Sequence, residues 1–200
     1  MSDANEQLEY ADNAKEVARE NRHVALLIAI LALFLALSEM LGKSSSTEAL
    51  TLNVRVSDTW NFYQAKAIRR TVLLAAAEEM KVSAPVAAEA QRAAMAKQVA
   101  AWEETAARYR SEPAHDGHEG EGTQELAERA KEAEHERDTA LARYHNYEFA
   151  SAAFQIGIVL CSAAIITGMA ILVWVAGGLA VVGLTFISFG LLAPHLLHLG

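Results

Sequence analysis

Residues 149–194 read FASAAFQIGIVLCSAAIITGMAILVWVAGGLAVVGLTFISFGLLAP, 46 positions without one Asp, Glu, Lys, Arg or His. A helix needs about 20 apolar residues to cross the hydrocarbon core of a bilayer. The run is too long for one crossing and fits two, with Ala176-Gly177-Gly178 as the tight turn near its middle. Residues 149–200 therefore read as a transmembrane hairpin. The missing charges weigh against a pump or transporter, which keeps ionisable groups inside its spans.

A third apolar stretch, Val24–Leu41 (24–41), is interrupted only by Ser38 and Glu39. The 23 residues before it hold six acidic and three basic side chains. That is a poor start for a signal peptide, and Ser-Glu-Met-Leu-Gly is no small-x-small cleavage site, so the stretch reads as a retained anchor. Residues 1–23 form an acidic N-terminal tail. The net charge of −8 and the lack of a basic stretch exclude nucleic acid as a partner. The only cysteine, Cys161, lies in the hairpin, so no intrachain disulfide forms. Lys and Arg near the membrane ends favour a cytoplasmic middle segment and C-terminus.

In the middle segment, Gly42-Lys43-Ser44-Ser45-Ser46 reads as a break after the first span. Residues 42–84 then read as an amphipathic helix lying on the membrane, with Trp60, Tyr63, Ala67 and Leu74 on one face and basic residues around it. The alternative is that this face packs against protein. Ser83-Ala84-Pro85 starts a second helix, with Pro tolerated in the first turn. Its seam includes Ala88, Met95, Val99, Trp102, Ala106 and Tyr109. A Pro- and Gly-containing connector over 111–122 follows. From Thr123 a third helix carries the seam Leu126, Ala130, Ala133, Arg137, Ala140, Tyr144, Tyr147, Ser151, Phe154. The seam keeps phase across Glu148, so this helix reads as continuous with the second span, to about Trp174. Equal lengths and Ala-rich seams predict that 85–148 is an antiparallel helical coiled-coil hairpin with its tip at 111–122. The expected fold is all-α and integral to the membrane, with three transmembrane helices.

The candidate sites are interaction surfaces. Ala153, Gly157, Cys161, Ala164 and Gly168 make a small-residue stripe in the second span. Ala176, Gly183 and Gly190 recur every seven residues in the third. Such faces let helix backbones approach closely in lipid, within the hairpin or between subunits. Glu39, four residues before Lys43, suits a helical ion pair. His115-Asp116-Gly117-His118-Glu119-Gly120-Glu121 reads as an acidic Gly-rich connector and not as a metal site, since it has no second ligand-bearing element. No catalytic constellation, phosphate loop or cofactor motif is present.

One segment is more specific than its physics requires: Asp58-Thr59-Trp60-Asn61-Phe62-Tyr63-Gln64-Ala65-Lys66-Ala67-Ile68-Arg69. It resembles the D-x-W-x-x-Y-Q-A-K-x-[IL]-[KR] signature of an uncharacterised family of bacterial membrane proteins, a domain of unknown function. The likeness extends to an N-terminal span preceded by Asn21-Arg22, a helical middle and a C-terminal hydrophobic hairpin. It implies a multi-pass protein of the bacterial inner membrane and marks Trp60, Tyr63, Gln64 and Lys66. It implies no activity.

The expectation is a non-enzymatic membrane scaffold without cofactors, a homo-oligomer in contact with lipid, self-associating through the coiled coil and the small-residue faces. Met95, Val99, Trp102 and Tyr144 are its soluble interaction positions, and Gly157, Cys161, Gly168, Gly183 and Gly190 its membrane ones. The alternative is an oligomeric channel or transport-complex subunit, its path lined by Gln155, Ser162, Thr167 or Ser188.

Overall fold

A computed structural model of the chain describes residues 2–114 and 119–195, with side chains from residue 22 onward. Among the described residues all regular structure is helical: α1 (Ser2–Ser83), a 3₁₀ turn (Ala84–Val86), α2 (Glu89–Arg110), α3 (Thr123–Thr167) and α4 (Ala170–Leu192). Three helical stretches are long and apolar enough to cross a membrane, lying in α1, α3 and α4. The chain divides into two units, Met1–Glu48 with Asp138–Gly200, and Ala49–Arg137. Both α1 and α3 contribute to each.

The first difference from expectation is the length of α1. Gly42-Lys43-Ser44-Ser45-Ser46 does not break it, and 82 residues form one helix. A separate helix over 42–84 lying flat on the membrane is thereby excluded, because it needs a bend after Leu41. The small residues have a packing reason. Ser38, Gly42 and Ser45 are buried, at helical steps of four and three. A Cβ on Gly42 would stand 3.5 Å from that of Tyr147, an ordinary contact. What reads as a breaker is the face that lets α3 approach.

In the first unit α3 runs antiparallel to α1. Gly42 meets Tyr147, Phe34 stacks on Phe154 with centroids 5.9 Å apart, and Leu31 lies against Gly157. Ser38 Oγ donates to the Tyr147 carbonyl (2.8 Å) and accepts from Ser151 Oγ (3.0 Å), so the buried hydroxyl is satisfied. Leu31, Ala150, Phe154, Cys161, Ala176 and Ile187 form the core of this unit.

The second difference is the position of the membrane turn. α3 ends at Thr167, not Trp174, and Gly168 reverses the chain with φ +69°, a conformation that costs glycine no Cβ clash. Gly177 and Gly178 lie inside α4, and a Cβ on either would meet nothing within 4 Å. α4 then runs back along α3 in a fixed register. Gly183 sits over the Phe154 ring and Gly190 over the Tyr147 ring, where a Cβ would come within 2.6 Å in each case. One heptad further on, the same register sets Ala176 level with Cys161, both fully buried. The heptad repeat of small residues on α4 is a row of sockets for a matching heptad row on α3.

In the second unit the expected coiled-coil hairpin of residues 85–110 with 123–148 is replaced by a different pairing. Glu103 of α2 bonds Lys81 (2.7 Å), whereas Glu134 of α3 accepts from Trp60 Nε1 (2.9 Å). In a hairpin with its tip at 111–122, Glu103 and Glu134 would lie at similar heights. Their partners on α1 are instead 21 residues apart, about 31 Å of helix. Both α2 and α3 therefore run antiparallel to α1, one after the other. The segment 111–122 is a joint and not a tip. The physical reason is the unbroken α1, whose second half supplies a buried face (Ala49, Val56, Lys66, Ala77) for both helices.

Candidate functional site: the lysine clamp at the helix joint

The Trp60–Lys66 stretch lies where α2 gives way to α3. Lys66 is the centre of the arrangement. Its side chain is buried, with Nζ 3.2 Å from Glu121 and 3.5 Å from Glu112, the carboxylates on either side of the joint. The ammonium also lies 5.1 Å from the centroid of Phe62 and 5.8 Å from that of Tyr109. Two carboxylates and two ring faces repay its desolvation. Trp60 packs edge-on to Tyr63 (5.3 Å, 80°) and donates to Glu134. Trp60 and Tyr63 are half-buried against protein, so the packing use of this face is the one realised.

The joint closes on itself. Ser111 Oγ donates to Glu125 (2.6 Å), the Glu112 amide reaches the same carboxylate (3.4 Å), and Thr123 Oγ1 donates to the Arg110 carbonyl (3.2 Å). The hydroxyl of Ser111 holds the Glu125 carboxyl below its ordinary value. A Cβ on Gly122 would come within 2.5 Å of the Glu112 amide, so the chain crosses too closely there for any side chain. Arg129 pairs with Glu119 across the same end. Further along α1, Lys81 lies between Glu103 of α2 and Glu78 (2.8 Å), which hold its ammonium well above the usual lysine range. Nothing here aligns a nucleophile with a base.

The other expected interaction residues are distributed as follows. Gln64 is exposed. Met95 and Trp102 are half-buried and Val99 buried, on the α2 face towards α1. Tyr144 is half-buried, its ring beside His145. Gly157, Cys161, Gly183 and Gly190 are buried inside the first unit, and Gly168 is the turn. Ser162, Thr167 and Ser188 each donate to the carbonyl four residues back in their own helix. Of the His115–Glu121 loop, residues 115–118 lie outside the described residues. Among the described residues no three His, Cys, Asp or Glu side chains group to hold a metal.

Sequence reasoning gave no role to Glu112, Glu125 and Glu134, and placed Glu121 only in an acidic connector. A buried-lysine signal was present, because Lys66 falls on the arc between Trp60 and Phe62. It also missed a second polar place in the first unit. A cavity of about 320 Å³ between α1 and α3 is lined by Glu39, Lys43, Ser46, Tyr144, Glu148 and Ser151, among others. There Glu39 accepts from Gln155 (3.3 Å), in place of the expected pairing with Lys43.

The family described as a domain of unknown function (DUF4337) matches residues 20–193. No curated protein and no solved structure matches the chain.

Proposed function

We propose that this chain, which belongs to the DUF4337 family, is a non-enzymatic membrane scaffold of the bacterial inner membrane that self-associates outside the bilayer. The observation that carries this reading is two exposed apolar pairs on one face of α1 in the second unit, with Ser57 and Asn61 between them. Leu50, Val54, Ile68 and Val72 are 60–66% exposed and lie on the face of α1 opposite Trp60, Tyr63 and Lys66. Steps of one turn and of four turns keep these positions on one helix stripe, and a stripe of this kind is what a partner helix covers. The small-residue faces of the spans support self-association less, because Gly157, Gly183 and Gly190 already receive Leu31, Phe154 and Tyr147 of the same chain. The hydroxyls that would line a channel path bond within their own helices, and no observation favours that alternative. The test is the mass of the detergent-solubilised full chain by light scattering. The expected result is an oligomer that Ile68→Glu/Val72→Glu converts to monomer. A wild-type monomer at all concentrations overturns the reading.

A further inference from the structure

The cavity between α1 and α3 in the first unit sits where both helices leave their apolar runs. Glu148 immediately precedes the uncharged stretch 149–194, and Lys43 is the first charge of α1 after Leu41. That is the depth of lipid headgroups in a bilayer. Lys43 and Glu148 line one space, yet among the described residues neither side chain has a hydrogen-bond or ion-pair partner. These exposed opposite charges line one open volume without pairing across it, and so leave room for a ligand that carries both signs. The Glu39 carboxylate stands on the same wall and accepts one bond from Gln155, with its second oxygen uncommitted.

Charge decides the class of headgroup. Two carboxylates and one ammonium line the cavity, so a headgroup of net negative charge meets more repulsion than attraction, whereas a zwitterion is complementary to both. Hydrogen bonding decides the kind of zwitterion. A primary ammonium offers three N–H donors to Glu39 and Glu148. A quaternary ammonium offers none and depends on aromatic faces. Of the two aromatic rings that line the cavity, Tyr147 is occupied against Gly190, which leaves Tyr144 alone and no cage of aromatic faces. Lys43, Ser46 and Tyr144 line the same cavity, and an ammonium with two hydroxyl-bearing residues suits the phosphate. We propose that this cavity binds the headgroup of an amine-bearing phospholipid, a phosphoethanolamine, with phosphate at Lys43 and ammonium between Glu39 and Glu148. The inference rests on the chain lying in a membrane and not on its self-association.

The test is native mass spectrometry of the full chain released from detergent micelles. Phosphatidylethanolamine, phosphatidylcholine and phosphatidylglycerol with matched oleoyl chains are supplied at equal concentration. One phosphatidylethanolamine per chain is expected to be retained, about tenfold over the other two, the ratio one charge-assisted contact supplies. Lys43→Ala and Glu148→Gln each remove that preference, while Lys97→Ala on the exposed surface of α2 keeps it. Soluble phosphoethanolamine at the lipid concentration leaves the bound lipid in place. Equal retention of the three lipids by the wild-type chain overturns the proposal whatever the variants do. So does displacement by the soluble headgroup, or an unchanged preference in Lys43→Ala/Glu148→Gln with wild-type helicity. A chain that is monomeric and still selects the amine lipid overturns the scaffold reading and leaves this site standing.

Discussion

Four glycines of α4 separate packing from propensity at single positions. Gly183 and Gly190 are spaces already taken by aromatic rings, whereas Gly177 and Gly178 face nothing within 4 Å. Alanine at Gly183 or Gly190 must displace Phe154 or Tyr147 and is expected to destabilise by about 1–3 kcal/mol. Alanine at Gly177 or Gly178 meets no obstacle and is expected to be neutral or stabilising by up to about 1 kcal/mol. Thermal unfolding in one detergent, followed by circular dichroism, reads both pairs. Equal effects at the four sites would contradict the socket register. Glu125 gives a pH dependence of known sign. Its folded carboxyl titrates below the ordinary value of 4.5, so its contribution is whole above that pH and fades as pH falls through the lowered value. The contribution is small, because the group is only partly buried and solvent screens it. Ser111→Ala removes the main cause of the lowering. The melting temperature of that variant is expected to fall less steeply than wild type between about pH 5 and pH 3, as judged by the same dichroism signal at constant salt.

Among the elements, α3 is the most legible in the sequence. Its seam at alternating steps of three and four gives the buried residues Leu126, Ala130, Ala133, Ala140, Tyr147 and Phe154, and the phase survives Glu148 because one helix spans that point. The partner of the seam is not legible. A seam states that a face is covered and not by what, and the equal lengths of 85–110 and 123–148 point to each other. The misreading begins at Gly42–Ser46, where small polar residues carry two meanings: weak helix propensity in water and close approach between helices in lipid. Gly177-Gly178 misleads for the same reason, and the true turn at Gly168 is hidden in a stripe of small residues. The Trp60–Lys66 motif stands out in sequence, but its acidic partners are 46 to 74 residues away along the chain, a separation periodicity does not reach. The pairing of α1 with α3 is checked by cross-linking. In a Cys161→Ala background, Gly42→Cys with Tyr147→Cys places Cβ atoms about 3.5 Å apart, within disulfide range. Oxidation is expected to close an intrachain bond, read as faster migration on non-reducing gels. Failure to cross-link would contradict the α1–α3 register.

At the scale of the whole molecule, three helical stretches are long and apolar enough to cross a membrane. α4 has 23 residues, about 34 Å of helix, which matches a hydrocarbon core of about 30 Å with little tilt. The variants Gly168→Cys and Ala193→Cys are therefore expected to react with an impermeant maleimide from opposite sides of the membrane. The native Cys161, fully buried, is expected not to react from either side. Labelling of Gly168→Cys and Ala193→Cys from the same side would show that α4 does not cross.

The reversal at Gly168 also governs how the chain can enter a membrane. Only Gly168 and Met169 separate α3 from α4, and neither carries charge. No loop exists that could wait in water while the second helix follows, and no ionised group has to be carried across. If α3 and α4 cross a bilayer, so short and uncharged a turn favours their entry as a pair. A translocation machine that releases spans one by one would have to hold α3 until α4 has been synthesised.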